Sequence, residues 1–283
     1  MKGLAVVALL LASAANAQQT VVFSTGNVDG RMGMASRPGG AGGTGRETAD
    51  DFVLLQATSL TSATFTGLLP SGSNALDITQ VSIEIYRVFP LDSNDPPSGH
   101  VPTRANSPSD VAFESRTSGS DLTFSTTSLG NLSVANTVID GIHPIPGQQT
   151  AGEGPANGAE FLFNVNFLTP LTLADGHYFF VPQVALSSGT FLWLSTTRPI
   201  VAPGTPFAPD LQAWIRSTEL EPDWLRVGTD IVGNGQTFNA AFTLSTTVTA
   251  SPEPSALVLL GSGLLLIGVV ARRARASSDR RVA

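Results

Sequence analysis

The sequence predicts an all-β protein: a single antiparallel β-sandwich, jelly-roll-like, flanked by an N-terminal signal peptide and a C-terminal transmembrane helix. Three observations carry this reading. In several runs apolar residues alternate with polar ones at a period of two, which a half-buried strand produces and a helix does not. Stretches rich in Pro and Gly separate those runs, and no repeat, coiled coil or long amphipathic helix competes with them. Between Gln18 and Ala250 no linker divides the chain, and a body of about 230 residues is enough for one large β domain.

The elements follow in order. Residues 1–17 combine Lys2, an apolar core from Leu4 to Ala12 and the small-x-small site Ala15-Asn16-Ala17. That is the layout of a secretory signal peptide cleaved before Gln18, with signal peptidase and the secretion machinery as partners. Thr20–Ser24 is a β-branched run suited to a sheet edge, and Gly26–Gly45 reads as a flexible glycine-rich loop. Gly40, Gly42 and Gly45 spell G-x-G-x-x-G, but the strand-turn-helix setting that gives this motif meaning is missing. Asp50 and Asp51 precede an apolar run, either as metal ligands or as caps of a turn, the commoner use of Asp.

Val81, Ile83 and Ile85 then share a face opposite Ser82 and Glu84. Leu91–Pro108 lies among five prolines, Pro90, Pro96, Pro97, Pro102 and Pro108, and reads as an exposed loop. Within it Asp92, Asn94 and Asp95 supply oxygens of the kind calcium takes, without the full D-x-D-x-D-G spacing. Calcium and a plain turn both stand there, and no other cofactor is implied. Short Ser/Thr-rich strands between Val111 and Ile139 and a second Pro/Gly loop from Gly141 to Gly158 come next. The core signal strengthens at Phe161, Phe163, Val165 and Phe167. With Tyr178–Leu186 and Thr190–Thr196 these form an antiparallel meander, turning at Asp175-Gly176. Phe238, Ala240, Phe242 and Leu244 share one face of a closing strand.

Composition removes whole classes of chemistry. The chain has no cysteine, and its one lysine is Lys2. Thiolate catalysis, cysteine metal sites, Schiff bases and a lysine-dependent P-loop are therefore excluded from the mature body, which must be held by core burial rather than disulfides. Between Gln18 and Ala250 nine arginines stand against twenty Asp and Glu, a net of −11. Such a surface argues against nucleic acid and anionic lipid, and for partners that are neutral, cationic or bridged by a divalent metal.

The C-terminal stretch fixes handling. Pro252-Glu253-Pro254 precedes an uncharged run from Ser255 to Ala271, and Arg272, Arg273 and Arg275 follow. Seventeen residues at helical rise span about 25 Å, a minimal crossing of a roughly 30 Å hydrocarbon core. The arginines place the C-terminus, including the short tail 277–283, in the cytoplasm. Residues 251–276 resemble the PEP-CTERM sorting signal, a Pro-Glu-Pro triplet, a short transmembrane helix and an Arg-rich end; the extra residues Ala276–Ala283 depart from it. The resemblance covers about the last tenth of the chain. It implies recognition by exosortase, a membrane-embedded processing enzyme of Gram-negative bacteria that make extracellular polysaccharide, and transfer to the cell surface or exterior. Ala49-Asp50-Asp51-Phe52 is also similar to an opening found in exported bacterial proteins of this kind.

Signatures of catalysis are scarce: no G-x-S-x-G, no H-E-x-x-H, and three histidines, His100, His143 and His177, all beside loop residues. The densest polar-aromatic cluster holds Trp214, Trp224, Glu219, Glu221 and Asp223 with two arginines. Indole faces and carboxylates in one place are what sugar recognition uses, and two carboxylates also serve glycoside hydrolysis. The competing reading makes both tryptophans core residues of neighbouring strands, with Glu221-Pro222 as their turn. The expectation is a non-enzymatic exported surface or matrix protein associated with extracellular polysaccharide. Its rivals are a secreted glycan-active hydrolase and a permanently anchored carbohydrate-binding module.

Overall fold

The computed structural model describes residues 17–40, 44–96, 98–142, 148–197, 212–249, 261–270 and 272. Outside them lie the signal peptide up to Asn16, Gly42, Pro97, His143, Pro252-Glu253-Pro254, the first part of the expected transmembrane helix, and Arg273 and Arg275. Residues 20–246 form one compact unit, and the described residues 17–19, 247–249, 261–270 and 272 fall in a second. In the second unit residues 261–270 and Arg272 are helical. Among the described residues no helix is long and apolar enough to cross a membrane.

The described residues form fifteen strands: β1 (Ala17–Ser24), β2 (Val28–Ala35), β3 (Arg46–Leu54), β4 (Thr58–Pro70), β5 (Ile78–Arg87), β6 (Glu114–Thr117), β7 (Leu122–Val134), β8 (Asn136–Val138), β9 (Ala156–Leu173), β10 (Gly176–Leu186), β11 (Leu192–Thr196), β12 (Trp214–Ser217), β13 (Leu225–Arg226), β14 (Asn239–Ala240) and β15 (Phe242–Thr249). They build two sheets. The larger runs β1-β15-β4-β11-β2-β8, with β14 beside β11, β9 on the other edge of β4, and β7 beyond β9. The smaller runs β13-β12-β3-β10-β5-β6. Registered pairs are antiparallel apart from β2 with β8, which is parallel.

The core lies between the sheets, because alternation points one face of each inward. Val81, Ile83 and Ile85 on β5 and Phe180 on β10 meet Phe65, Phe163, Trp193 and Phe242 of the larger sheet in one cluster. Phe180 stacks on Phe242 with ring centroids 5.0 Å apart, and Phe52 lies 6.0 Å from Phe23. Burying such rings contributes about 1.5–3 kcal/mol each, so this contact is the main source of cohesion in a chain without disulfides. Gly67 is a requirement of that packing: a Cβ there would collide with the Phe191 ring, which stands edge-on to Phe65 and Phe163.

Four segments differ from expectation. The meander expected from Phe161 to Thr196 does not form: β9 pairs with β4 and β7, β10 lies in the smaller sheet between β3 and β5, and β11 returns to the larger sheet beside β2, β4 and β14, so successive strands cross between sheets instead of pairing with one another. The glycine-rich stretch after Gly26 is no loop throughout, since Val28–Ala35 is strand β2 with Met32 and Met34 fully buried. Its glycines admit close neighbours: a Cβ on Gly33 would sit 3.2 Å from Leu192. Asp50 and Asp51 do not cap a turn before a strand; both lie inside β3, fully buried. The proline-rich loop is not simply exposed either, because Val101, Arg104, Ser107 and Ser109 are buried.

Candidate ligand-binding face

Of the two readings of the Trp214–Trp224 cluster, the structure agrees with packing and not with an exposed sugar platform. Trp214 on β12 and Trp224 just before β13 are both fully buried, in a cluster with Ala49, Tyr86, Phe179 and Val181 on the outer face of the smaller sheet. Trp224 donates its indole N–H to the Ser109 carbonyl at 3.1 Å and meets Tyr86 edge-on at 5.4 Å. The loop from Val88 to Ala112 packs over this face, so neither indole offers a surface on which a pyranose can stack. Glu219 and Glu221 are exposed in the turn between β12 and β13, whereas Asp223 is buried, accepting from Ser98 and facing Arg104. The carboxylates therefore point to different environments.

Charge on this face is used internally. Arg216 on β12 bonds Glu47 at 2.5 Å and the Tyr86 hydroxyl at 3.1 Å, with its guanidinium 4.5 Å from the Trp224 ring. Arg104 pairs with Asp110 and lies over the Phe89 ring. Glu84 accepts from Tyr86 and Gln183, and burial, then the nearby Glu47, raises its carboxyl above the ordinary value. Burial also pushes the Tyr86 phenol up. Buried charges are tolerated when paired in this way. Seven of the eight described arginines of the body are in ion pairs; Arg31 bonds Gln236 and lies over Phe238 instead.

The other predicted residues are placed as follows. Asp92 pairs with Arg87 at 3.3 Å, which engages one of the three calcium candidates, and the Asp95 backbone N–H donates to the Asp110 carboxylate. Among the described residues no three His, Asp or Glu side chains gather as a metal site. His177 opens β10 and shares a hydrogen bond of 2.7 Å with the buried Asp51, while its ring lies 6.0 Å from Phe179. The Asp–His pair was not foreseen, because its members are joined only by the register of β3 with β10. His100 is exposed.

The outer face of the larger sheet presents the opposite chemistry. Register places Ser245, Ser62, Asn166 and Thr123 in one row across β15, β4, β9 and β7. Thr243, Thr64, Asn164 and Ser125 form the next row, and Thr66, Leu162 and Thr127 a third. Ser24 extends the middle row through a 2.9 Å bond between its hydroxyl and that of Thr243. None of these side chains is charged. Ser62 and Ser245 are buried; Thr64, Thr66, Asn164 and Thr243 are half-buried, and Asn166, Thr123, Ser125 and Thr127 are exposed.

A cleft of about 390 Å³ opens here between Asn27, Thr64, Thr66, Glu160, Leu162 and Thr243. A second, of about 480 Å³, is lined by Ser71, Ser73, Asn131, Ser133 and Asn157 beside glycines. Of the residues lining these clefts only Glu160 ionises, and burial raises its carboxyl. Hydroxyl and amide groups both donate and accept, so the face suits a ligand that is itself neutral and rich in hydroxyls. No protein-family model, curated protein or solved structure matches this chain.

Proposed function

We propose that the chain is an exported surface or matrix protein that holds a neutral extracellular polysaccharide and does not turn it over. The observation that carries the export half is the order of signals at the two ends: a cleavable leader before Gln18, and Pro252-Glu253-Pro254, an apolar run and three arginines at the other end. In this reading an exosortase-type enzyme acts on the tail after the chain has crossed the inner membrane with its C-terminus inside. The two facing sheets then constitute one jelly-roll-like sandwich delivered to the exterior. The binding half is supported by the neutral Ser/Thr/Asn rows, which sit on a body of net charge −11. An acidic polymer is repelled by such a body, while a neutral one meets matched donors and acceptors and no ion to desolvate.

The test is processing. N-terminal sequencing of the exported protein should begin at Gln18, and its intact mass should lack the tail. Glu253→Ala keeps the length and apolarity of the span, so membrane insertion persists while release fails. A Glu253→Ala chain released like the natural one would remove the sorting role of the tail, and an exported-fraction chain that begins at Met1 would remove the cleavable leader.

A further inference from the structure

β7 is registered with β9 alone; its far edge is bridged by Ser118 at Leu122 and approaches β2 at its C-terminal end, where the Ala135 N–H donates to the Gly30 carbonyl, and among the described residues no strand is registered to the stretch between, around Ser125. β7 is thirteen residues long and carries neither a charge nor a proline. Proteins usually blunt a long edge with just those residues, or with a bulge. The edge of the smaller sheet at β6 is only four residues long and carries Glu114 and Arg116, joined at 2.8 Å; β13 and β8 are shorter still, at two and three residues. On β7 the bulge comes late, between Ser128 and Gly130, which leaves Leu122–Ser128 regular. Phe124 on this strand packs against the core while staying part-exposed at the rim.

From this edge we infer that β7 joins a second copy of the chain, strand against strand, around a two-fold axis at Ser125. The strand itself favours that occupant. Antiparallel pairing about Ser125 sets Thr123 opposite Thr127 and Ser125 opposite its own counterpart on the outer face, with Phe124 opposite Thr126 on the inner face. Threonine and serine facing one another are stabilising cross-strand neighbours, and no charge is opposed. The half-covered Phe124 gains a neighbour from the second copy. A two-fold interface of this kind closes on itself, so the product is a dimer rather than a fibre. The rows of Ser, Thr and Asn then continue from one copy into the next, giving a polymer twice the length of face. The dimer does not depend on the polysaccharide reading, because the edge and its register exist with or without a ligand.

The absence of cysteine makes the test clean. The full-length chain is purified in detergent micelles and its mass followed by sedimentation; the natural chain should be a dimer. Ser125→Cys should form a disulfide-linked dimer on mild oxidation, since directly opposed strand residues lie about 4.5–5.5 Å apart between Cα atoms, within disulfide reach. Thr172→Cys, exposed on β9 beyond the end of β7, should not. Ser125→Lys should weaken the dimer about threefold to tenfold, and mixing it with Ser125→Asp should restore a mixed dimer. A monomeric natural chain, a dimer that Ser125→Lys leaves intact, cross-linking at Thr172→Cys equal to that at Ser125→Cys, or open polymers through β1 would each overturn the inference.

Discussion

The outer faces of the two sheets solve the same problem in opposite ways. On the smaller sheet the strands project Glu47, Glu84, Tyr86, Trp214 and Arg216, and the chain spends a proline-rich loop to cover them. On the larger sheet they project Ser, Thr and Asn, and β4, β7, β9 and β15 leave much of that surface open. Large aromatic rings and paired charges are thus the mark of a closed, structural face here. Small neutral groups mark the accessible one. An aromatic-acidic cluster, the ordinary sign of a glycan site, is in this molecule part of the closed face.

The most damaging way to probe this contrast is Trp224→Ala. With the indole fully buried and bonded to Ser109, its loss should cost about 3–5 kcal/mol and lower the melting temperature sharply. A variant that melts like the natural chain would mean that the loop does not seal this face. Next in size is the titration of Glu84. Its folded carboxyl holds a proton more tightly than the unfolded one, whose ordinary value is 4.5. That contribution to stability is complete below about pH 4.5 and is lost as pH rises through the raised folded value. Glu84→Gln keeps an acceptor for Tyr86 and Gln183 and cannot ionise. The stability gap between variant and natural chain should therefore shift in favour of the variant as pH climbs from 4.5 towards neutrality, as measured by paired thermal melts; a gap independent of pH would show that Glu84 titrates like an exposed acid.

The smallest effect on stability belongs to the open face. Asn164→Asp changes one half-buried side chain in the middle row and should move stability by no more than about 0.5 kcal/mol. It places a charge among neutral groups, so retention on a neutral polysaccharide should fall on the order of tenfold. Equal retention by the variant and the natural chain would take the ligand off this face and leave the difference between the sheets purely structural.

Strands were legible where bulky residues keep time. Val81, Ile83 and Ile85, and likewise Phe161, Phe163 and Val165, sit where period-two reading puts them, all buried. β2 escaped because its timekeepers are two methionines among glycines, and glycine erases the hydrophobic beat while satisfying a packing need, as at Gly33. The burial of Trp214 and Trp224 was undecided because local sequence says that a residue faces out of a sheet, not whether a loop far earlier in the chain, such as the one carrying Ser109, lies over it. Pairing also hides the neutral rows. Thr64 and Thr66 alternate visibly on β4, but nothing along one strand says that Asn164 and Ser125 stand beside Thr64.

The pairing of the arginines has a consequence for survival among proteases. An enzyme that cuts after basic residues finds no lysine in the body, and Arg198 lies outside the described residues. Of the eight described arginines, Arg31, Arg46, Arg87, Arg116, Arg216 and Arg226 are held in strands, Arg37 bridges Arg46, and Arg104 is buried. A protease needs an extended, unpaired segment in its cleft, so each of these bonds must first leave its sheet or loop before it can be cut. Where opening and reclosing are fast, the rate of cutting follows the population of open molecules. Digestion at these arginines thereby becomes a gauge of how often the sheets part, and the ion pairs that hold the fold also set how long it withstands such an enzyme.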